Sequence, residues 1–304
     1  MTYSIVARDP DSGELGVAVE SHWFSVGTVV TWAQAGVGAV ATQAFAEPGY
    51  APQGLALMRA GVDAQTALSA LLAADQERER RQVAFINASG AVAVHTGGSC
   101  IADAGHITGA AVSVQANMMR TPDVWPAMLR AYESATGPLA ERLLLALEAG
   151  EAAGGDVRGR QSAAMLVVSA TSSGQPWRDR LVDLRVDDSP QPLAELRRLL
   201  AVHTAYHHME AAEERQISGD LDGALDEYSR ARALAGGNDE AAFWQAVLLA
   251  DADRADEARP IFSAIAAREP GWAELLRGLP AAGMLRNGDV AVQRLLGGAT
   301  STLR

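Results

Sequence analysis

The chain has 304 residues, a length that suits about two domains. Its 25 Lys and Arg stand against 37 Asp and Glu, a formal net charge of −12, which repels phosphate backbones and anionic membrane faces and argues against nucleic-acid and membrane partners. Hydrophobic residues at 48% and charged residues at 20% exclude disorder as the main state.

Cys100 is the single cysteine, so an intramolecular disulfide and a cysteine-based zinc site are excluded. The first residues lack the basic and apolar runs of a signal peptide, and no long uncharged apolar stretch follows. A cytoplasmic protein is expected. No phosphate loop or dinucleotide fingerprint is present, and neither a cofactor nor a metal is expected.

In chain order, Tyr3–Arg8 alternates like a strand and runs into Asp9-Pro10-Asp11-Ser12-Gly13, a turn cluster. Leu15–Val19 is its hairpin partner. Val26–Ala35 and Gly38–Gln43 are two further strands, parted at Gly36. Gly49–Ala73 has apolar residues at helical spacing, interrupted at Gly61. Val83–Asn87, Val92–Thr96 and Ala111–Gln115 are strands, Trp125–Ala135 and Leu139–Ala149 are helices, and Ala163–Ser169 and Leu181–Val186 are closing strands. Helices segregated from antiparallel strands indicate an α+β domain with two sheets between two helical layers. This domain is assigned to residues 1–187.

The texture changes at Asp187-Asp188-Ser189-Pro190-Gln191-Pro192, where the prolines break regular structure, and residues 188–204 are assigned to a linker and capping helix. Beyond it a 34-residue period relates Ala212 to Ala246, Ala224 to Ala258, Tyr228 to Phe262 and Ala231 to Ile265. Gly219-Asp220 and Asp253-Arg254 hold matching turns, and Ala235-Gly236 and Glu269-Pro270 matching ends. The pattern resembles the tetratricopeptide repeat. Two repeats over 205–272 with a C-terminal cap are expected to fill 205–304 as an all-α domain. That domain fits a platform for a protein partner, or for formation of a homo-oligomer.

Thr2 is the first chemical candidate. If Met1 is removed, one residue carries both a hydroxyl nucleophile and an α-amine base. Alone, Thr2 reads equally as the start of a strand. Its company changes the reading. A strand opens at Thr2 and a second ends at Glu20-Ser21, a layout that resembles the N-terminal nucleophile hydrolases. The lysine typical of the proteasome-like members is absent; Trp32 or Gln34 falls near its place. Four segments resemble one bacterial family of unknown function, DUF1028: Thr2–Asp9, Gly13–Val19, Ala35–Gln43 and Gly154–Ala163. The resemblance covers residues 1–187 and implies a four-layer αββα fold of the N-terminal nucleophile hydrolase type. It implies no established reaction.

Within that frame Glu20 or Ser21 is expected to orient the Thr2 amine. Asn117, which follows the Ala111–Gln115 strand, is expected to donate to an oxyanion. Asp156, Arg158 and Arg160 crowd a short glycine-led loop, where an arginine fork suits a substrate carboxylate and an internal Asp–Arg pair is the alternative. His22, Thr42 and Gln43 are expected to bind substrate beside them. His203, His207 and His208 read as a helix surface rather than a metal site, and Cys100 as structural. The expected function is an amidohydrolase of N-terminal nucleophile type acting on a small amide or peptide. The alternative is an inactive protein of the same fold whose helical repeats recruit a partner.

Overall fold

The computed structural model describes residues 2–234 and 236–296. Met1, Ala235 of the expected repeat closure, and residues 297–304 of the expected cap lie outside the described residues. The chain divides into two compact units, Met1–Leu199 and Leu200–Arg304.

The first unit is α+β with four αββα layers. β1 (Thr2–Arg8) and β2 (Leu15–Ser21) form a hairpin whose turn is tied by the Asp9 carboxylate, which accepts from the Asp11 and Ser12 N–H groups at 2.9 and 2.8 Å. Both faces of the hairpin are covered, which is why its strands are apolar almost throughout. With β7 (Gly105–Gly109), β8 (Val112–Asn117), β9 (Ser162–Val168) and β10 (Arg180–Val186) it makes an antiparallel sheet in the order β10-β9-β2-β1-β8-β7. The second sheet, β3-β4-β5-β6, is built from β3 (Thr31–Gln34), β4 (Gly38–Ala44), β5 (Arg81–Asn87) and β6 (Val92–Thr96). Val6, Val17 and Val19 meet Ala39, Ala41 and Ile86 between the sheets. The helices α4 (Val124–Ser134) and α5 (Leu139–Ala152) cover the first sheet; α2 (Tyr50–Arg59) and α3 (Ala64–Ala74) cover the second.

Two local expectations need correction. The strand expected over Val26–Ala35 is a short helix, α1 (Gly27–Val30), followed by β3 alone. The Val26 N–H donates to Ser162 Oγ, and a Cβ on Gly27 would stand 2.4 Å from the Ala164 Cβ. Tertiary packing on β9 thus overrides the β-branched residues. The strand β7 was not expected, because its Gly-His-Ile-Thr-Gly sequence has a single large apolar residue. The break near Gly61 falls where the periodicity places it: Gly61 has φ +89° and Asp63 caps α3 by accepting from the Thr66 N–H at 2.9 Å.

Within residues 188–204, expected as a linker and capping helix, the part before the helix is short. Pro192 opens α6, which runs unbroken over Pro192–Ser218. A proline is tolerated in the first helical turn because the N–H it lacks has no partner there. Leu193 and Leu196 are buried, and the Arg197 fork grips Glu148 of α5 at 2.6 and 2.7 Å. The boundary between the units falls within α6, after Leu199, inside the stretch 188–204 assigned to a linker and capping helix.

The second unit is all-α, with α7 (Leu221–Leu234), α8 (Glu240–Asp251), α9 (Ala255–Arg268), α10 (Gly271–Gly278) and α11 (Gly288–Leu296) following α6. Ala212, Ala224, Ala246 and Ala258 share one core with Tyr228, Phe243 and Phe262, and Leu276, Ala291 and Leu295 continue it. The small residues allow close helix approach while the rings fill the gaps. No helix among the described residues is long and apolar enough to cross a membrane.

Candidate functional site

Register places the expected site residues. β1 pairs with β8 so that Thr2 faces Asn117, and with β2 so that Tyr3 faces Glu20. Side chains alternate along a strand. Thr2, Ser4 and Val6 therefore point into the layer between the sheets, and Tyr3 and Glu20 point toward α5.

Thr2 lies on a cavity of about 450 Å³, whose wall includes Val26, Val29, Val30, Gln43, Phe45, Met118, Arg81 and Arg158. Thr2 Oγ1 and Ser21 Oγ form a buried hydrogen bond of 3.0 Å. The Thr2 carbonyl accepts from Gln43 Nε2 at 3.3 Å and from Asn117 Nδ2 at 3.4 Å. Both amides also donate to one acceptor, Gln82 Oε1, at 2.7 and 2.9 Å.

Behind this clamp the network continues. Gln82 Nε2 donates to Thr96 Oγ1, the Gly105 carbonyl and the Ala116 carbonyl at 2.9, 3.1 and 2.9 Å. Ser4 Oγ donates to Gln43 Oε1 and accepts from Gln115 Nε2, both at 2.6 Å, and Ser113 Oγ donates to Gln115 Oε1 at 2.9 Å. Gln43, Gln82 and Gln115 thus have amide and carbonyl ends both bonded, deep between two sheets. Such satisfied networks hold their members in one geometry. Sequence reasoning missed Ser4, Gln82, Gln115 and Ser113. A signal exists for Ser4, Ser113 and Gln115, polar residues alternating with apolar ones inside a strand, whereas Gln82 stands at the polar start of β5 and carries none.

The structure reassigns several expected residues. Asn117 sits beside Thr2, and its amide, expected to face an oxyanion, donates to the Thr2 carbonyl and to Gln82 Oε1. Glu20 is fully buried on the opposite face of the sheet and does not reach the Thr2 side chain's layer. Tyr3 donates its hydroxyl to Glu151 Oε2 at 2.9 Å, and neither Glu20 oxygen has a hydrogen-bond partner among the described residues. Burial, then the charges of Glu151 and Asp156, push the Glu20 carboxyl well above the usual carboxylate range. Ser21 alone of that pair shares a face with Thr2.

Thr42 faces the helix side of β4, where its hydroxyl donates to the Glu47 carbonyl at 3.2 Å, outside the cavity wall. His22 donates its N–H to Asp156 Oδ2 at 3.2 Å, and its side chain also lies outside the wall. Asp156 holds Arg158 through Nε at 3.3 Å and Nη2 at 3.1 Å. Arg158 reaches the cavity; Arg160 turns away onto Glu151. The internal Asp–Arg pair is thus present between Asp156 and Arg158, the same arginine that borders the cavity. No group of three or more His, Cys, Asp or Glu is placed to hold a metal ion among the described residues. His203 and His207 turn on each other, Nε2 to Nε2 at 2.9 Å.

A central-strand threonine held at a cavity between two face-to-face antiparallel sheets defines the class of fold. Residues 2–196 match the family model described as a family of unknown function, DUF1028, and the chain belongs to that family. Among solved structures it is similar to protein SPO2555 from Silicibacter pomeroyi, which carries the same family model. The two are 32% identical with a TM-score of 0.60, over 66% of this chain and 84% of that one. No curated protein matches.

Proposed function

We propose that this chain is an amidohydrolase of N-terminal nucleophile type, acting on a small amide or peptide when Thr2 is the first residue of the mature chain. The observation that carries this reading is the holding of Thr2. Among the described residues of the cavity wall, it alone has its hydroxyl on a buried serine and its carbonyl clamped by two side-chain amides. A nucleophile gains from such positioning, since correct geometry replaces a chance encounter.

In this reading the freed α-amine, with a reference pKa of about 8, takes the Thr2 hydroxyl proton. Oγ1 then bonds to the substrate carbonyl carbon, the C–N bond breaks, and the amine leaves carrying that proton. Water attacks the resulting ester, the acid departs, and the hydroxyl is restored. Ser21 orients Oγ1; Gln43 and Asn117 fix the backbone from which it acts.

Intact-mass analysis and an amide-mimicking acylating electrophile test this together. The expected result is a chain lacking Met1, with one adduct that maps to Thr2 and is lost in Thr2→Ala. Retention of Met1, or an adduct that survives the substitution, overturns the reading and favours the inactive binding protein.

A further inference from the structure

We infer that the cavity at Thr2 selects amides that carry both an apolar ring-sized group and a negative charge, and rejects cationic ones. This deepens the hydrolase reading and rests on it for the scissile bond. The chain as a whole is strongly acidic, at −12. The cavity wall is the reverse. Its charged residues are Arg81 and Arg158, and none of the described residues lining it is acidic.

Each arginine is half of an ion pair whose carboxylate stands outside the wall. Arg81 Nε is 2.8 Å from Asp75 Oδ2, and Arg158 Nη2 is 3.1 Å from Asp156 Oδ2. Arg158 is the one that brings its positive end to the cavity; Arg81 adjoins inward-facing Gln82, leaves β5 on the helix side, and donates through Nη1 to the Phe45 carbonyl at 2.6 Å. Asp156 also accepts from the His22 and Arg158 N–H groups, at 3.2 and 2.8 Å, so its charge is spread over several donors. Apolar walls lower the local dielectric and strengthen the field of the Arg158 end. A guanidinium suits a carboxylate in particular, by its planar fork of donors.

The apolar requirement comes from the rest of the wall. Val26, Val29, Val30 and Met118 line it, and Trp23, Phe45 and Ile101 stand at it 60%, 44% and 48% exposed. Large side chains left this open around a concave site mark a surface that a ligand covers. At about 450 Å³ the cavity falls in the range of small-molecule sites.

Calorimetric titration of the full-length Thr2→Ala protein reads this without turnover. Four probes separate charge from ring: N-acetylphenylalanine (ring and anion), N-acetylphenylalaninamide (ring, neutral), phenylalaninamide (ring and cation) and N-acetylglycine (anion without ring). N-acetylphenylalanine is expected to bind at least about tenfold tighter than each of the others, with phenylalaninamide weakest among the ring compounds. A further Arg158→Lys is expected to keep that order, and Arg158→Met to bring the anion and the neutral amide within about threefold of each other. Because Arg158→Met also strips Asp156 of its partner, salt gives a second reading on the Thr2→Ala protein alone. From about 50 to about 500 mM KCl the advantage of the anion shrinks while the neutral amide holds. Phenylalaninamide binding as tightly as N-acetylphenylalanine overturns the inference, and so does failure of all four to bind. Failure of the hydrolase reading looks different: no adduct at Thr2, with the binding order intact.

Discussion

The two faces of the β1–β2 hairpin carry polar groups at the same depth and treat them in opposite ways. On the face toward the second sheet, Thr2, Ser4 and Ser21 enter a network in which the glutamine amides and carbonyls are bonded at both ends. On the face toward α5, one residue along each strand, Glu20 has a buried carboxyl with no partner on either oxygen among the described residues. The first arrangement converts polar groups into rigidity. The second leaves a group that is stable in the interior only when neutral. A one-residue alternation thus separates the nucleophile's support from a carboxyl that sequence reasoning assigns to the same task.

The contrast is broken most forcefully at Gln82. Gln82→Leu takes the shared acceptor from Gln43 and Asn117 and the donor from three acceptors. Orphaned buried groups cost about 1–3 kcal/mol each, partly recovered by relaxation, so a loss of about 3 kcal/mol is expected. Thermal unfolding should then fall by roughly 10 °C. A fall of less than about 3 °C would show that the network relaxes freely and does not fix Thr2.

Ser21→Ala sharpens the same face with a smaller effect. It removes the 3.0 Å partner of Thr2 Oγ1 and leaves the carbonyl clamp in place. Acylation of Thr2 by the electrophile is expected to slow about tenfold, which is about 1.4 kcal/mol in the barrier. Stability should drop by only about 1 kcal/mol. An unchanged acylation rate would reduce Ser21 to packing.

Much of this was legible in the sequence, because strand periodicity is a local property. Tyr3–Arg8 and Val92–Thr96 declare themselves by alternation, and the 34-residue spacing of Ala224 and Ala258 places matching positions in one helical core. Thr2 and Ser21 come together because a hairpin of fixed register follows from its turn. Glu20 was misassigned for want of the same parity argument: adjacent residues of a strand cannot share a face. The role of Gln82 was not legible. It depends on which strand of the second sheet lies over β1, a long-range fact that no local pattern carries. The fate of Arg160, drawn to Glu151 rather than to the cavity, is of the same kind.

Glu20→Gln probes the other face, and its expected effect is the smallest at low pH and grows with pH. In the unfolded chain Glu20 titrates near its reference value of 4.5, whereas in the folded protein burial and then Glu151 and Asp156 hold its value well above that. Above pH 4.5 the folded state therefore binds more protons than the unfolded state, and stability falls as pH rises until the folded value is passed. An amide in place of the Glu20 carboxyl has no such proton to lose. The variant and the parent should be close in stability near pH 4, and the variant should gain on the parent as pH increases, by at most about 1.4 kcal/mol per pH unit for one proton. Asp75, held below its usual range by its hydrogen bond with Arg81, loses its contribution on acidification in both proteins, so it cancels from the difference. Denaturant unfolding of the two proteins at pH 4 to 8 measures that difference directly. A constant difference across the range, or a variant that weakens toward pH 8, would mean that the Glu20 carboxyl is ionised in the folded protein and that the two faces of the hairpin do not differ in the way their hydrogen bonds indicate.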